Sequence, residues 1–334
     1  VLNLSPDAPR PPGNWKDIVW QPDFIWVAKW DDKLRGEEKY VWLADSSSVK
    51  QERDIEKYDK AKMLYRKIDE LRAHISANLG TPDKKRRKIA TVSYLIDALK
   101  FRVGDEKDKD EADTVGATTL RPEHVKIREG GRVIFDCLGK DSVQYRKEVE
   151  LPAQVVENFR EFMAEAKSSV FQGVRSDNVK EFLSEAVPGL SAKVFRTYHA
   201  SKTVDEYLKT AKLSKEDPEY VKKNVATLAN LEAAIVCNHK RKLPKNWENS
   251  LAKKLERLKV LQGKKSKKSL EAAKALKLRI RTMKATRDYN LGTSLKSYID
   301  PRLYYCWGRK VDFDWKLYYP KTLQRKFSWV DQTE

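Results

Sequence analysis

The chain has 334 residues, and 40% of them are hydrophobic, which is enough for a substantial core. Every apolar stretch falls short of the roughly twenty residues needed to cross a bilayer, so we predict no membrane span. The three cysteines lie far apart and predict neither a metal site nor a disulfide framework. The formal net charge of +19 indicates a polyanionic partner.

Strands and two long helices are predicted at the start of the chain. Residues 15–43 alternate apolar and polar side chains, which is typical of strands, and Gly36 lies at a turn between two of them. Residues 52–79 and 84–101 repeat apolar side chains at helical spacing, and Gly80 ends the first of these helices. We therefore expect a small sheet followed by two helices.

The next segment predicts a small antiparallel sheet and then several helices. Short β-rich runs are separated by turns at 130–131 and 139–141. The predicted strands are 118–120, 125–127, 133–135 and 143–149, and the predicted helices are 153–165, 177–187, 190–212 and 221–239. In the last helix, His239 follows the spacing of Leu228, Leu231 and Ile235, so taken alone it would be a buried core residue.

A strongly basic stretch follows. Between Lys240 and Arg287 there are 18 Lys and Arg residues against three Glu, a net charge of +15. Two Lys-rich helices with narrow leucine seams, at 246–262 and 267–289, predict a short coiled-coil hairpin. Such a basic stripe is typical of nucleic-acid binding, with a solvated ribosomal-type helix as the alternative. An anionic lipid surface is disfavoured because no hydrophobic bulk accompanies the basic helices.

Tyr298 lies in a short predicted helical turn between Gly292 and the break at Asp300-Pro301. A phenol, with a pKa of about 10, is a poor nucleophile unless nearby cations stabilise the charge that its attack creates. Cleavage of a phosphodiester also needs cations on the non-bridging oxygens and an acid for the leaving alkoxide. Residues of these types occur in four ordered blocks: Leu99-Lys-Phe-Arg102, Leu138-Gly-Lys140-Asp141-Ser142, Lys193-Val-Phe-Arg196-Thr-Tyr198 and Cys237-Asn-His239. Each residue alone is more often a surface or packing residue, so the inference rests on their joint order.

In this order, and across nearly the whole chain, the blocks resemble those of the eukaryotic-type, type IB DNA topoisomerases. The resemblance implies an α+β, mostly helical fold: a type IB topoisomerase/tyrosine recombinase-like catalytic core with a small antiparallel sheet, plus a coiled-coil hairpin linker. It also implies four parts. These are a strand-rich part of the catalytic lobe (1–80), the catalytic core (81–243), the basic linker (244–289) and a C-terminal domain with the nucleophile (290–334).

The family's catalytic set of Arg, Lys, Arg, His and Tyr corresponds, motif by motif, to Arg102, Lys140, Arg196, His239 and Tyr298. The resemblance implies that Tyr298 forms a transient 3′-phosphotyrosine link and that supercoils are relaxed without ATP, a cofactor or a metal ion. Lys140 would protonate the leaving 5′-oxygen, while the two arginines and the histidine hold the non-bridging oxygens. Further contacts to double-stranded DNA are implied for Asp141, Lys193, Asn238 and Thr293.

The family's upstream half, a cap that closes over DNA from the other side, has no counterpart in these 334 residues. We therefore expect the cap region to be a partner of this chain, and we expect the chain alone to bind DNA less tightly than the full clamp. We also expect a monomer. The composition leans towards an archaeal relative. The predicted location is with the chromosome, in the nucleoid and cytoplasm of an archaeon or in the nucleus of a eukaryote.

The chain departs from the family pattern near the nucleophile, where Lys296 is one place late and Ser297 replaces the usual Asn. Tyr198-His199 also differs from the eukaryotic consensus. Two alternative functions remain open. A tyrosine recombinase shares the chemistry, but it has a His where this chain has Lys193, and it lacks the coiled-coil linker. A non-catalytic DNA-binding module would explain the basic stripe, but the intact set of five catalytic residue types argues against it.

Overall fold

The computed structural model describes residues 1–104, 114–139 and 142–332. Helices predominate and the strands form two small sheets, which confirms the predicted α+β fold class. Two compact units are present, Val1–Glu56 with Pro320–Glu334, and Lys57–Tyr319. The predicted division at residues 80, 243 and 289 stays a prediction.

The described residues form eleven α-helices and seven strands. The helices are α1 (Ser48–Asn78), α2 (Lys84–Leu99), α3 (Ala153–Ala164), α4 (Ser176–Ala186), α5 (Ala192–Thr210), α6 (Glu219–Val236), α7 (Trp247–Gln262), α8 (Lys267–Ala285), α9 (Leu291–Ser297), α10 (Pro301–Val311) and α11 (Lys321–Lys326). The strands are β1 (Leu2–Asn3), β2 (Ile18–Val19), β3 (Trp26–Asp32), β4 (Glu37–Trp42), β5 (Val125–Ile127), β6 (Arg132–Gly139) and β7 (Val143–Glu150). None of the helices is long and apolar enough to cross a membrane, within the ranges described above.

The first unit contains a four-stranded sheet with the order β2-β1-β3-β4. Strands β3 and β4 pair antiparallel, and Gly36 adopts a φ of 68° at the turn between them, where a side chain would be strained. The strands predicted from the alternation between residues 15 and 43 are therefore confirmed. Also in this unit, Lys326 of α11 lies 2.9 Å from the carboxylate of Asp54, and both side chains are largely buried.

The core of the second unit lies between helices α1 to α5 and the sheet β5-β6-β7. Phe135 of β6, Phe159 of α3 and Phe171 are fully buried. Their rings contact edge to face, with centroids 5.8 Å apart for the first pair and 5.6 Å apart for the second. Phe101 joins this cluster through Phe135, at 5.6 Å. The aromatic core thus supports the segment that carries Arg102.

The small sheet is antiparallel, with Val133 opposite Val149 and glycines at 130 and 131 in left-handed backbone conformations. Strands were predicted correctly at 125–127, 133–135 and 143–149. The strand predicted at 118–120 is wrong, because these residues form a turn. Thr118 donates from both its backbone N and its hydroxyl to the Val103 carbonyl, at 2.7 and 2.9 Å, so its hydrogen bonds go to a loop rather than to a sheet.

Helix α6 differs from the prediction at its end and on its buried face. The helix ends at Val236, so His239 is not part of it, and Ile235 is 41% exposed rather than buried. The buried face is instead made mainly of small residues: Ala226, Ala229, Asn230, Ala233 and Ala234. Small side chains allow neighbouring helices to approach closely, and α6 packs against α5, α8 and α9.

The predicted basic hairpin is present as α7 and α8, which pack against each other. No described side chain of α7 is buried, and on α8 only Ala273 and Ile280 are. Backbone hydrogen bonds close the base of the hairpin: Arg241 N donates to the Asp288 carbonyl at 3.0 Å, and Asn290 N donates to the His239 carbonyl at 2.7 Å. The hairpin therefore begins and ends beside His239.

Candidate active site

Arg102 lies in an extended segment that follows α2. Lys100 ends that helix with a left-handed backbone, at a φ of 61°, and the Arg102 carbonyl accepts a hydrogen bond from Ala117 N at 2.8 Å. Gly104 and Gly116 let the two backbones touch, because a Cβ on Gly116 would lie 2.3 Å from Gly104 Cα. The Arg102 side chain is half-buried and makes no hydrogen bond to a described residue. Its guanidinium is therefore held near the site by its backbone and remains available to an anion.

Arg196, in the second turn of α5, is 8% exposed and tightly held. Nη1 donates to the Lys100 carbonyl at 2.8 Å. Nη2 donates to the Cys237 carbonyl at 2.6 Å and lies 3.3 Å from Nε2 of His239. Because a guanidinium has five N–H donors, two remain without a partner among the described residues, one on Nε and one on Nη1. The plane of the guanidinium is thus fixed before an anion arrives.

Tyr298, immediately after α9, is half-buried against two of the other predicted catalytic residues. The Arg196 guanidinium lies over the phenol ring, 5.3 Å from its centroid. The His239 ring stacks on the same phenol, with the centroids 5.1 Å apart and the planes 29° apart. Three residues from α5, the segment after α6 and the end of α9 therefore meet at one point.

His239 owes its place to the turn before it. Asn238 has a φ of 54°, which bends the chain away from the end of α6, and His239 N donates to the Ala234 carbonyl at 2.8 Å. The His239 carbonyl accepts from Asn290 N, the residue that caps α9 by accepting from Gly292 N with its side chain. The histidine backbone is thus joined directly to the start of the helix that leads to Tyr298.

The His239 imidazole is 7% exposed and neutral. Burial lowers its pKa to about 3, and the positive charges of Arg196 and Arg102 act in the same direction. Arg196 can only donate, so its contact with Nε2 places the ring proton on Nδ1, an atom that has no hydrogen-bond partner among the described residues. At neutral pH His239 can therefore supply one N–H, but not a full positive charge.

A cavity of about 520 Å³ opens beside these groups. Its lining includes three predicted catalytic residues and two predicted DNA contacts: Arg102, Arg196, His239, Asn238 and Thr293. Four further basic residues, which were not predicted from the sequence, also line it: Lys100, Lys240, Arg241 and Lys242. The run of three cations directly after His239 was a usable signal for the last three. Over residues 1–104, 114–139 and 142–332, no group of three or more His, Cys, Asp or Glu is placed to hold a metal ion.

Two of the predicted site residues, Lys140 and Asp141, lie outside the described residues, between β6 and β7. The β7 side of this hairpin is bonded to the segments that carry the site. Tyr145 of β7 donates from its hydroxyl to the Leu99 carbonyl at 2.9 Å. Asn238 Nδ2 donates to the Gln144 carbonyl at 3.3 Å, so the predicted DNA contact Asn238 also has a structural partner.

The remaining two predicted DNA contacts differ in their positions. Thr293, in the first turn of α9, lines the cavity with its side chain half-buried. Lys193, in the first turn of α5, is exposed and is not among the cavity-lining residues. The structure therefore places Thr293 in the same cavity as three of the predicted catalytic residues, and Lys193 at the surface.

Helix α5 is tied to α2 by a buried polar chain one turn beyond Arg196. His199 Nε2 lies 2.8 Å from the Asp97 carboxylate, which also accepts from Arg72 Nε at 2.7 Å. Burial alone would raise the pKa of Asp97, but the hydrogen bonds from His199 and Arg72 outweigh it and hold this pKa at about 2. Asp97 is therefore ionised at neutral pH, and the departure from the family pattern at His199 has a definite contact.

Two protein-family models match the chain. The family model described as the eukaryotic DNA topoisomerase I catalytic core matches residues 46–273. A second model, for the C-terminal topoisomerase domain, matches residues 271–334. The chain belongs to the eukaryotic DNA topoisomerase I family.

Similar family members come from animals and plants. DNA topoisomerase 1 of Drosophila melanogaster is 35% identical over 97% of this chain and 36% of its own length. DNA topoisomerase 1 alpha of Arabidopsis thaliana is 34% identical over the whole chain and 41% of its own length. The mitochondrial DNA topoisomerase I of Rattus norvegicus is 33% identical over 99% of the chain and 63% of its own length. The chain thus spans between about a third and two thirds of these relatives.

The family resemblance found in the sequence is confirmed by these matches. The named relatives are eukaryotic, so the comparisons do not support an archaeal origin. They also give no support to the tyrosine recombinase alternative.

Proposed function

We propose that this chain carries out the strand cleavage and resealing of a type IB DNA topoisomerase. The observation that supports it best is the contact of the Tyr298 ring with both Arg196 and His239. These residues are far apart in sequence, and Arg102 lines the cavity beside them. A packing tyrosine would not require two buried cationic or imidazole partners that retain unused N–H groups.

In the proposed reaction Tyr298 Oη attacks the scissile phosphorus, and the bond from phosphorus to the 5′-oxygen breaks as the new bond forms. The products are a 3′-phosphotyrosine link and a 5′-hydroxyl. The phenol proton leaves to water, and we assign the proton that the 5′-oxygen receives to Lys140. Because the phosphotyrosine link conserves the energy of the broken phosphodiester bond, the strand can be resealed without ATP. The 5′-hydroxyl attacks the phosphorus and returns its proton to Lys140, and the Tyr298 oxygen leaves and takes up a proton from water.

Charge that develops on the non-bridging oxygens would be held by the two arginines. Arg196 has two unused donors in a fixed plane, and the Arg102 guanidinium has no partner among the described residues. His239 would add one neutral N–H. Fixed donors of this kind stabilise a transition state because they need no reorientation during the reaction.

The proposed substrate is double-stranded DNA, which the basic hairpin α7–α8 would contact along its downstream part. Its affinity would fall with salt, as expected for a protein that neutralises phosphates. Asp141, Lys193, Asn238 and Thr293 are proposed as further DNA contacts. A cap region like that of the longer relatives is the proposed partner. We propose that the enzyme acts as a monomer on chromosomal DNA in the nucleus.

Relaxation of supercoiled plasmid in EDTA, without ATP, tests this function. Wild type should relax the plasmid and, after denaturation, leave protein covalently attached to DNA. Tyr298→Phe should do neither, while Tyr305→Phe, the same change on α10, should behave as wild type. If all three proteins bind DNA in a salt-sensitive way and none cleaves it, the chain is a DNA-binding module and the proposal is wrong.

A further inference from the structure

The backbone turn that holds Tyr298 depends on one carbonyl. The Ser294 carbonyl accepts from Tyr298 N at 2.9 Å and from Ile299 N at 3.0 Å. These bonds end α9, but they are local and leave the turn unattached to the elements that carry Arg196 and His239. Two side chains supply the attachment, one on α5, which carries Arg196, and one on α6, the helix that precedes His239.

The first attachment is Ser201, which lies on α5 five residues after Arg196. Its hydroxyl donates to the Tyr298 carbonyl at 3.2 Å and accepts from Asp300 N at 3.0 Å. One hydroxyl thus binds the backbone on both sides of Ile299. The same helix contacts the phenol ring through Arg196 and the phenol's own backbone through Ser201.

The second attachment is Asn230 on α6, the helix that leads to His239. Its side-chain oxygen accepts from the Ser294 hydroxyl at 2.7 Å, and its Nδ2 donates to the Leu291 carbonyl at 3.1 Å and to the Tyr318 hydroxyl at 2.9 Å. Asn230 and Ser294 have no exposed surface. A buried amide with its oxygen and nitrogen both bonded is rigid, and losing one partner leaves an unpaired polar group.

We propose that Ser201 and Asn230 are positioning residues that hold the turn of Tyr298 against Arg196 and His239. We call the contacts of Ser201 and Asn230 the clasp. The proposal rests on the proposed function and deepens it. Helix α5 supplies both Arg196 and Ser201, and Asn230 lies on α6, the helix from which the chain continues to His239. Ser201 binds the main chain of Tyr298 directly, whereas Asn230 binds Ser294 and Leu291 of the helix that precedes it. The clasp sets the distance from the phenol oxygen to the phosphate, which is the quantity to which an in-line attack is most sensitive.

The effect of these residues on cleavage is measured under single-turnover conditions at saturating DNA. The substrate is a short duplex with a nick just beyond the cleavage site, so that the cut fragment dissociates and the covalent complex is not resealed. Ser201→Ala should slow covalent-complex formation about 10- to 100-fold, the loss expected when a reacting group is displaced by about an ångström. DNA affinity should stay within about twofold, since Ser201 does not line the cavity. Ser201→Thr keeps the hydroxyl and should restore most of the rate. Thr210→Ala removes a hydroxyl at the end of the same helix and should leave the rate unchanged.

Hydrogen exchange at individual amides gives a readout that needs no catalysis. The Asp300 N–H donates to the Ser201 hydroxyl, so its exchange should accelerate at least tenfold in Ser201→Ala and stay unchanged in Thr210→Ala. Asn230→Ala should accelerate exchange at Tyr298 and Ile299, whose partner carbonyl belongs to Ser294. The thermal midpoints of all variants, measured alongside, identify any that are not folded, and those are replaced by Asn230→Asp or Ser201→Cys.

The proposal is overturned if Ser201→Ala cleaves DNA as fast as wild type, or if Asp300 exchange is unchanged in it. A loss of rate that Thr210→Ala reproduces equally would overturn it as well. Failure of the proposed function looks different: wild type itself would form no covalent complex. In that case the exchange experiment still decides whether the clasp holds the Tyr298 turn.

Discussion

The candidate active site and the basic hairpin α7–α8 both carry positive charge, but they are built in opposite ways. Arg196 and His239 are less than a tenth exposed, and each is held by backbone carbonyls or amides from other elements. Along α7, by contrast, no described side chain is buried. The first region fixes where each charge lies. The second supplies many charges on exposed side chains.

This difference predicts how each region responds to mutation. In the site, changes that preserve charge but alter geometry should be costly, because the oxygens of one phosphate must be met by particular N–H groups. In the hairpin, the number of charges should decide the effect. Matched substitutions in the two regions therefore test the contrast.

The largest effect is expected for Arg196→Lys. Lysine keeps the charge but cannot reach both the Lys100 and Cys237 carbonyls and still offer two N–H groups to an anion. The single-turnover cleavage rate should fall about 100- to 1,000-fold, as for loss of an oxyanion donor. Arg279→Lys on α8 is the matched control and should stay within about twofold of wild type. Equal losses at the two positions would contradict the contrast.

The second largest effect is expected at the backbone contact between Gly104 and Gly116, next to Arg102. In Gly116→Ala the new Cβ would lie 2.3 Å from Gly104 Cα and 2.7 Å from the Arg102 carbonyl oxygen, so the loop must move. We expect about 1–3 kcal/mol of destabilisation, as for overpacking, with a clear loss of cleavage rate. Gly263→Ala at the end of α7 meets nothing closer than 3.7 Å and should be neutral or slightly stabilising. Urea unfolding and cleavage kinetics of both variants measure this, and a wild-type rate in Gly116→Ala would refute it.

A third effect follows from the pKa of His239, which burial and the neighbouring arginines lower to about 3. In the unfolded chain His239 binds a proton below about pH 6.5, whereas in the folded chain its imidazole stays neutral down to about pH 3. Protonation of the unfolded chain therefore leaves the free energy of unfolding unaffected above pH 6.5 and lowers it as the pH falls below that value. Between pH 7.5 and 5, wild type should lose on the order of 1–2 kcal/mol more unfolding free energy than His239→Gln. Identical pH dependence in the two proteins would show that His239 is not held neutral.

The smallest effect on the chemical step is expected in the hairpin. Replacing Lys253, Lys264 and Lys268 together by Gln removes three exposed charges. DNA affinity should weaken, and the salt slope should become shallower by about 0.9 for each phosphate that is no longer neutralised. The cleavage rate at saturating DNA should stay within about twofold. A large fall in that rate would mean that the hairpin helps to fix the site rather than only to bind DNA.

The same contrast explains how much could be predicted from the sequence. The hairpin helices and most strands follow local periodicity, and they were found with small errors at their ends. The catalytic set was predicted from the order of its motifs and stays a prediction, but the contacts of its members could not be predicted, since the partners of Arg196 are carbonyls at positions 100 and 237. Periodicity of large apolar residues also failed on α6, where alanines form the buried face and Ile235 is exposed. The turn at 118–120 was mistaken for a strand because its hydrogen bonds depend on a distant loop.

The most direct test of the proposed chemistry is to identify the residue that becomes joined to DNA. The covalent complex would be trapped by denaturation on a nicked duplex, digested with protease and nuclease, and analysed by mass spectrometry for a peptide that carries a nucleotide. We predict the peptide that contains Tyr298, with the nucleotide on that tyrosine through a 3′-phosphate. A nucleotide on any other residue, or DNA cleavage with no covalent peptide, would contradict the assignment of Tyr298 as the nucleophile.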